Sequence, residues 1–243
     1  MIIYHGSPQI VKQPELGKGK SYNDYGQGFY CTESLDLAKE WACPMQKDGF
    51  ANKYILNTKG LSLLHLSGGG YHILNWLALL LKNRTFDMSA ALALQARDYV
   101  IQTFMPDLSG KDYIIGYRAD DSYFSFAEDF VSGILSLRDL SEAMRLGTLG
   151  EQVVLISPKA FEQIHFEGYE AASYQEYHIK RMSRDNLARK EYPGCMGEQS
   201  AKQTTSQGRK RDLKTLKDDL FVLDILREEM KNDDTRLQRI LPE

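Results

Sequence analysis

The chain opens on a short apolar strand, residues 1–4, that breaks off at His5-Gly6. A polar loop follows, rich in glycine over 18–28, and a second short strand comes at 28–31. Helical periodicity takes over at Ser34, which can cap a helix whose Leu35, Ala38 and Trp41-Ala42 share one face. Strands are expected at 52–57 and 61–66, with a turn at Lys59-Gly60 between them.

The middle of the chain reads as helical. Residues 71–81 are apolar on several faces, as in a helix buried in a core. A helix over 88–104 ends before Pro106, and 113–117 is a compact strand. Two helices are expected at 121–135 and 136–146, then an apolar strand at 151–156 and another at 164–166. A charged, moderately amphipathic helix should span about 170–190. These elements divide the chain into a domain at 1–168, a helical extension at 169–191, a polar linker at 192–212 and a C-terminal amphipathic helix at 213–243. In that last helix Leu213, Leu216, Leu220, Leu223, Leu226 and Met230 form one apolar stripe, which needs its own domain or a partner to cover it.

Bulk properties narrow the function. The 243 residues are 42% hydrophobic, enough for a sizeable core. A net charge of −3 argues against general affinity for nucleic acid or anionic membranes. Cys31, Cys43 and Cys195 give no disulfide framework and no zinc spacing, as in reduced thiols of a cytosolic protein. The N-terminus lacks the features of a secretory signal, and no apolar run is long enough to span a bilayer. A cytoplasmic protein is expected, with signal-free secretion as an effector left open. His65, His72, His165 and His178 share no ligand spacing, so no metal site is expected. Gly68-Gly69-Gly70 lacks the Lys-Ser/Thr that would make it a phosphate loop.

The chemistry concentrates in two stretches, Tyr4-His5-Gly6-Ser7 and Asp24–Ala42, the latter reading DYGQGFYCTESLDLAKEWA. Asp24, Gly26 and Gly28 give a sharp approach to the strand bearing Tyr30. Trp41 follows eleven positions later on the helix. Aromatics so placed can face each other across a gap and hold a flat cationic ring by stacking and cation–π attraction. Singly, each of these residues also fits a bland role, His5 as a satisfied histidine and Tyr30 and Trp41 as core aromatics.

His-Gly at the end of a first strand, then Gly-x-Gly-Phe-Tyr, then an aromatic eleven residues on, resembles the ADP-ribosyltransferase superfamily. The likeness is to its poly-ADP-ribose polymerase and diphtheria toxin-like branch. It is stronger to a bacterial family of ADP-ribosyltransferase-like proteins that begin YHGS and carry D-[FY]-G-x-G-F-Y-x-T. The resemblance covers the order of elements over roughly the first 165 residues and is specific in letters over 5–42. It implies an α+β fold with two small, mostly antiparallel sheets forming a split β core, helices around it, and NAD in the cleft between the sheets.

The resemblance also implies roles. His5 would bond a ribose hydroxyl of NAD, and the Gly6 backbone would pair with the nicotinamide amide. Tyr30 and Trp41 would sandwich the nicotinamide ring, Trp41 standing where the superfamily commonly has tyrosine. Ala38 falls where relatives often place a serine. Gly28, Ser7 and Thr32 complete the expected binding set, with turn and capping roles as the alternative for Ser7 and Thr32. A catalytic glutamate is expected at the start of a late strand, and Glu151-Gln152 is the candidate pair. Alternation puts the two on opposite faces, so only one can enter the site. The YHGS-type family favours Gln152; the polymerase motif keeps Glu151 open.

Nicotinamide leaves NAD as a neutral molecule, so the site must stabilise an oxocarbenium-like ribose rather than supply an acid. An amide keeps the ribose hydrogen bond without the charge, which suits a single transfer or slow hydrolysis and not chain building. The resulting expectation is an NAD-dependent mono-ADP-ribosyltransferase with NAD as substrate. It would be a bacterial toxin, of the toxin–antitoxin or effector kind, acting on a protein or nucleic-acid acceptor. A neutralising partner could dock on the C-terminal helix. A catalytically silent NAD or ADP-ribose-binding module, or an NAD glycohydrolase, is the alternative. Arg118, Asp120 and Asp121 follow a strand where substrate loops often lie, or form a solvated turn. The charges at Arg209–Lys217 read as the solvated start of a helix.

Overall fold

A computed structural model describes residues 1–43, 47–68, 70–86, 90–119, 121–144, 150–191 and 220–238. The expected linker, Leu213, Leu216, the charges at Arg209–Lys217, Cys195, Gly69, Asp120 and the first residues of the 88–104 helix lie outside the described residues. The elements run β1 (Ile2–Ser7), β2 (Phe29–Cys31), α1 (Leu35–Ala42), β3 (Gly49–Leu56), β4 (Leu63–His65), α2 (Ile73–Asn83) and α3 (Ala91–Phe104). They continue β5 (Tyr113–Tyr117), α4 (Asp121–Val131), α5 (Leu137–Ala143), β6 (Glu151–Leu155), α6 (Pro158–Glu162), β7 (Ile164–Ala172) and α7 (Tyr174–Glu191). Two short helices follow, Val222–Arg227 and Thr235–Gln238.

The strands form two sheets, and the fold is α+β. One sheet has the order β1-β3-β7 and is antiparallel throughout; the other has the order β2-β6-β5-β4, with only β4 and β5 parallel. An isolated antiparallel bridge joins the two, Tyr4 N–H to Thr32 O at 2.7 Å and Thr32 N–H to Tyr4 O at 2.9 Å. The last strand is longer than the three residues expected, because β7 pairs with β3 along its whole length, past a bulge at Lys53/Tyr54. The final long helix accordingly starts at Tyr174.

Two cores lie on either side of the second sheet. On one face Val154 joins a large cluster built from α2, α3, α4 and α5, while Val153 and Leu155 on the other face join Ile3, Cys31, Tyr54 and Leu56. A strand covered on both faces carries a near-continuous apolar run, which is what Val153-Val154-Leu155 is. The α2 helix is apolar all round and buried from Ile73 through Leu81. Ser34 caps α1 as its position suggests, its Oγ accepting from Leu37 N–H at 3.3 Å. Cys31 and Cys43 are buried free thiols, and burial pushes both upward in pKa, which makes them poor nucleophiles.

The C-terminal segment departs from the expected single helix. Helix Val222–Arg227 stops short, the chain turns through Asn232-Asp233-Asp234, and Arg236 N–H bonds Asp234 Oδ1 at 2.9 Å to start the next helix. Asn and Asp side chains that bond nearby backbone favour such turns over helix interiors. Leu220, Val222, Ile225, Met230 and Leu237 are buried in the large core, whereas Leu223 and Leu226 are only half-buried. Leu137 N–H bonds Leu220 O at 2.7 Å, Tyr99 hydroxyl bonds Met230 O at 3.0 Å, and Asn75 Nδ2 bonds Asn232 Oδ1 at 2.7 Å. The apolar side of residues 220–238 is thus covered by the chain's own domain. Among the described residues, no helix is long and apolar enough to cross a membrane.

Candidate functional site

Residues 8–28 connect the end of β1 to β2 and contribute to one wall of a cleft. Asn52 anchors the outgoing limb: it is fully buried, its Oδ1 accepts from Val11 N–H at 2.9 Å, and its Nδ2 donates to Gln9 O at 3.1 Å and His5 O at 3.2 Å. The returning limb is braced by Tyr30. Its hydroxyl donates to Gly26 O at 2.7 Å and accepts from Tyr25 N–H at 3.0 Å. Burial pushes that phenol far above its ordinary range, so it stays protonated and keeps both bonds.

The loop and the two sheets enclose a cleft of about 610 Å³, lined among others by His5, Gln9, Lys18, Asp24, Gly28, Tyr30, Trp41, Arg84, Arg118 and Gln152. Small-molecule and cofactor sites span about 300–1,000 Å³. Five of the residues assigned to the site from sequence therefore meet in one place, His5, Gly28, Tyr30, Trp41 and Gln152, joined by Asp24 of the approach loop and by Arg118, expected in a substrate loop or a solvated turn.

Strand register explains the choice between Glu151 and Gln152. Tyr30 pairs with Val154, and Gln152 lies two residues along the same face of β6, so Tyr30 and Gln152 share a side. Gln152 is 5% exposed. Glu151 points the other way, its side chain 43% exposed, hydrogen-bonded to Ser67 and 3.5 Å from His65 Nε2.

His5 is held through Nδ1, 2.7 Å from Tyr30 O. A carbonyl only accepts, so Nδ1 carries the proton. Burial lowers the ring's pKa, against an opposing pull from that hydrogen bond, and the ring is neutral. Nε2 is then a lone-pair acceptor, suited to a ligand hydroxyl. Trp41 is half-buried and carries the Arg118 guanidinium over its ring, 4.4 Å from the centroid. One flat cation thus already stacks on the indole that was expected to help sandwich another.

Other expected residues serve the frame. Gly6 does not line the cleft: a Cβ there would stand 2.1 Å from Ala38 O and 2.7 Å from Trp41 Cβ, so glycine lets β1 touch α1. Ala38 is fully buried, and its backbone oxygen is part of that contact. Gly28 similarly lets the loop lie on β6, where a Cβ would meet Val154 Cγ1 at 2.6 Å. Ser7 Oγ accepts from Gln9 N–H at 3.2 Å and buried Thr32 Oγ1 from Ser34 N–H at 3.2 Å, both turn roles.

Asp24 and Arg84 carry parts of the site that sequence reasoning missed. Asp24, 6% exposed, accepts through Oδ2 from Gln152 Nε2 at 2.7 Å and from Ala119 N–H at 3.0 Å. Its Oδ1 lies 3.7 Å from Arg84 Nη1, and Arg84 packs its guanidinium over Phe124 at 4.9 Å. With Lys18 at the rim, two guanidinium groups give the cleft the cationic groups that a phosphate ligand requires. The motif D-Y-G-x-G carried Asp24 in plain view, but its partners sit 95 and 128 residues away.

No curated protein and no solved structure matches the chain. One family model does, that of DUF3990, described as a protein of unknown function, over residues 1–166. The match runs from β1 into β7 and contains every residue that lines the cleft. Covering more than half of the chain, it makes this protein a member of the DUF3990 family.

Proposed function

We propose that the cleft binds NAD and that the protein transfers a single ADP-ribose unit to a protein or nucleic-acid acceptor, releasing nicotinamide. The observation that carries this reading is the convergence of His5, Tyr30, Trp41 and Gln152, from four separate elements, on one cleft of about 610 Å³. Each group has a task in that chemistry. Neutral His5 offers Nε2 to a ribose hydroxyl. Tyr30 offers an aromatic face to the pyridinium ring, and Trp41 would do so once the Arg118 guanidinium that lies on it turns to the diphosphate. Arg84, Arg118 and Lys18 offer charge to the diphosphate.

In this reading Gln152, which lines the cleft, faces the ribose of the dinucleotide. The Asp24 carboxylate only accepts, so it fixes the amide with Nε2 inward, leaving Oε1 as an acceptor for a sugar hydroxyl.

The test is nicotinamide release from NAD by the purified protein, beside His5→Ala and Trp41→Ala. Release lost in both variants, with NAD binding weakened at least tenfold, is the expected result. No release, with NAD or ADP-ribose still bound, would instead indicate a silent binding module. Release without label reaching any protein or nucleic acid would indicate a glycohydrolase. Neither binding nor release by the unaltered protein overturns the NAD reading.

A further inference from the structure

On β6 an amide and not a carboxylate faces the cleft, yet a second cleft residue brings a carboxylate oxygen to 2.7 Å from that amide. We infer that Asp24 is the positioning residue that supplies the charge Gln152 lacks, so that the pair together performs the task of one catalytic carboxylate; this rests on the NAD reading above.

Three features of the geometry support the assignment. First, Asp24 and Gln152 are both nearly excluded from water, at 6% and 5% exposure, and both line the cleft. A carboxylate so placed acts through a weakly screening medium, where its field on a developing cation is strong. Second, the hydrogen bonds converge. Ala119 N–H and Gln152 Nε2 both reach Oδ2, and Arg84 stands at the longer distance of 3.7 Å from Oδ1. Those two donors orient the carboxylate without transferring a proton to it. Third, a hydrogen bond from an amide to an anion polarises the amide, so Oε1 gains negative charge on the side left for a ligand.

The step this serves needs no proton from either residue. The bond between ribose C1′ and the pyridinium nitrogen breaks, and its electron pair passes to that nitrogen, so nicotinamide leaves uncharged. Positive charge moves to C1′ and the ribose ring oxygen. A lone pair of the acceptor, a hydroxyl, an amine or water, forms the new bond to C1′, and the acceptor's proton passes to solvent. The step takes no proton from Asp24, and the charge of a carboxylate there, shared with Arg84, is opposite to the one that develops on the sugar.

Asp24→Asn isolates the charge, because Asn can keep an acceptor towards Ala119 N–H and Gln152. The informative companion is the exchange Asp24→Asn/Gln152→Glu, which retains one carboxylate and one amide in the same hydrogen bond but swaps their places. Nicotinamide release, NAD Kd by calorimetry and the urea midpoint are measured for wild type, the single variant and the exchange. Expected is a fall in kcat of about 100-fold in Asp24→Asn, with Kd within about threefold, and recovery of at least tenfold of that loss in the exchange.

Undiminished kcat in Asp24→Asn overturns the proposal. So does an exchange no more active than the single variant, because the loss then belongs to the shape of the loop. If Asp24→Asn does not fold, the exchanged pair decides alone: activity near wild type supports the charge role, and a folded, inactive exchange overturns it. A wild type that neither binds NAD nor releases nicotinamide overturns the NAD reading and this inference with it, whereas an active wild type with an equally active Asp24→Asn overturns this inference only.

Discussion

The cleft and the helical layer beneath the C-terminal segment are built on opposite principles. In the cleft almost every named side chain is tied to backbone: His5 to Tyr30 O, Tyr30 to Gly26 O and Tyr25 N, Asn52 to Gln9 and Val11, Asp24 to Ala119 N. In the helical layer Leu74, Trp76, Phe104, Phe126 and Phe130 share one apolar cluster with Val222, Ile225 and Leu237. Net hydrogen-bond contributions are small, about 1 kcal/mol each, but they orient groups, while apolar burial stabilises without orienting. Two histidines make the contrast concrete. His5 is hydrogen-bonded and faces a cleft; His72, 1% exposed, sits against Phe104 with its ring nitrogens shielded from water, and burial pushes it down to about 4 against a partial pull from Asn232.

Changes to the helical layer should therefore cost stability and spare the site. Val222 is fully buried, and Val222→Asp should destabilise the protein by about 4 kcal/mol or more, read from urea unfolding. If the protein stays folded under the assay conditions, its affinity for NAD should stay within a factor of two; a larger change would show that the two regions are coupled.

Acidification strikes the same layer. Above the unfolded pKa of 6.5, His72 is neutral in both states and contributes nothing. Between pH 6.5 and about 4 the unfolded chain takes up a proton that the folded chain does not, so stability falls as pH falls. A shift from 6.5 to about 4 amounts to about 3 kcal/mol. Urea midpoints measured across that window should show this loss, and His72→Gln should flatten it. An unchanged slope in the variant would assign the pH dependence elsewhere.

In the cleft, effects on stability should be smaller. Tyr30→Phe removes one donor and one acceptor from the loop brace, which should cost about 1–2 kcal/mol in thermal or urea unfolding. It should also loosen the 24–28 segment, seen as faster amide exchange at Tyr25. Smallest of all is Glu151→Gln, at an exposed side chain beside His65, where a change below about 0.5 kcal/mol and no change in NAD affinity are expected. A large effect there would reverse the division of roles between the two neighbouring residues.

What could be read from the sequence followed the range of the forces involved. The capping role of Ser34, the buried α2 and the strand 113–117 depend on neighbours a few residues away, and the structure has all three. The cleft wall from His5 to Trp41 was legible because glycine, aromatic and histidine spacing within forty residues carries it. The resemblance favoured Gln152 and kept Glu151 open; the register of β6 against β2 puts Gln152 on the face of Tyr30, which alternation alone left undecided. Asp24 was readable only as a loop residue, since what gives it meaning is Gln152 and Ala119. The C-terminal stripe was legible as apolar and in need of cover, by its own domain or a partner, but the end of its helix at Arg227 and the turn at Asn232-Asp233-Asp234 before the next were not.

The Tyr4–Thr32 bridge has a mechanical consequence. His5 lies one residue from one side of that seam, and Tyr30 two residues from the other, with the His5–Tyr30 hydrogen bond spanning both. Displacement in a rotating body grows with distance from the pivot. A small rocking of one sheet on the other about this seam would swing the rim at Lys18 and Arg84 furthest and move His5 and Tyr30 least. The rim would then widen while His5 and Tyr30 keep their spacing, as the jaws of a plier open around a rivet that barely moves.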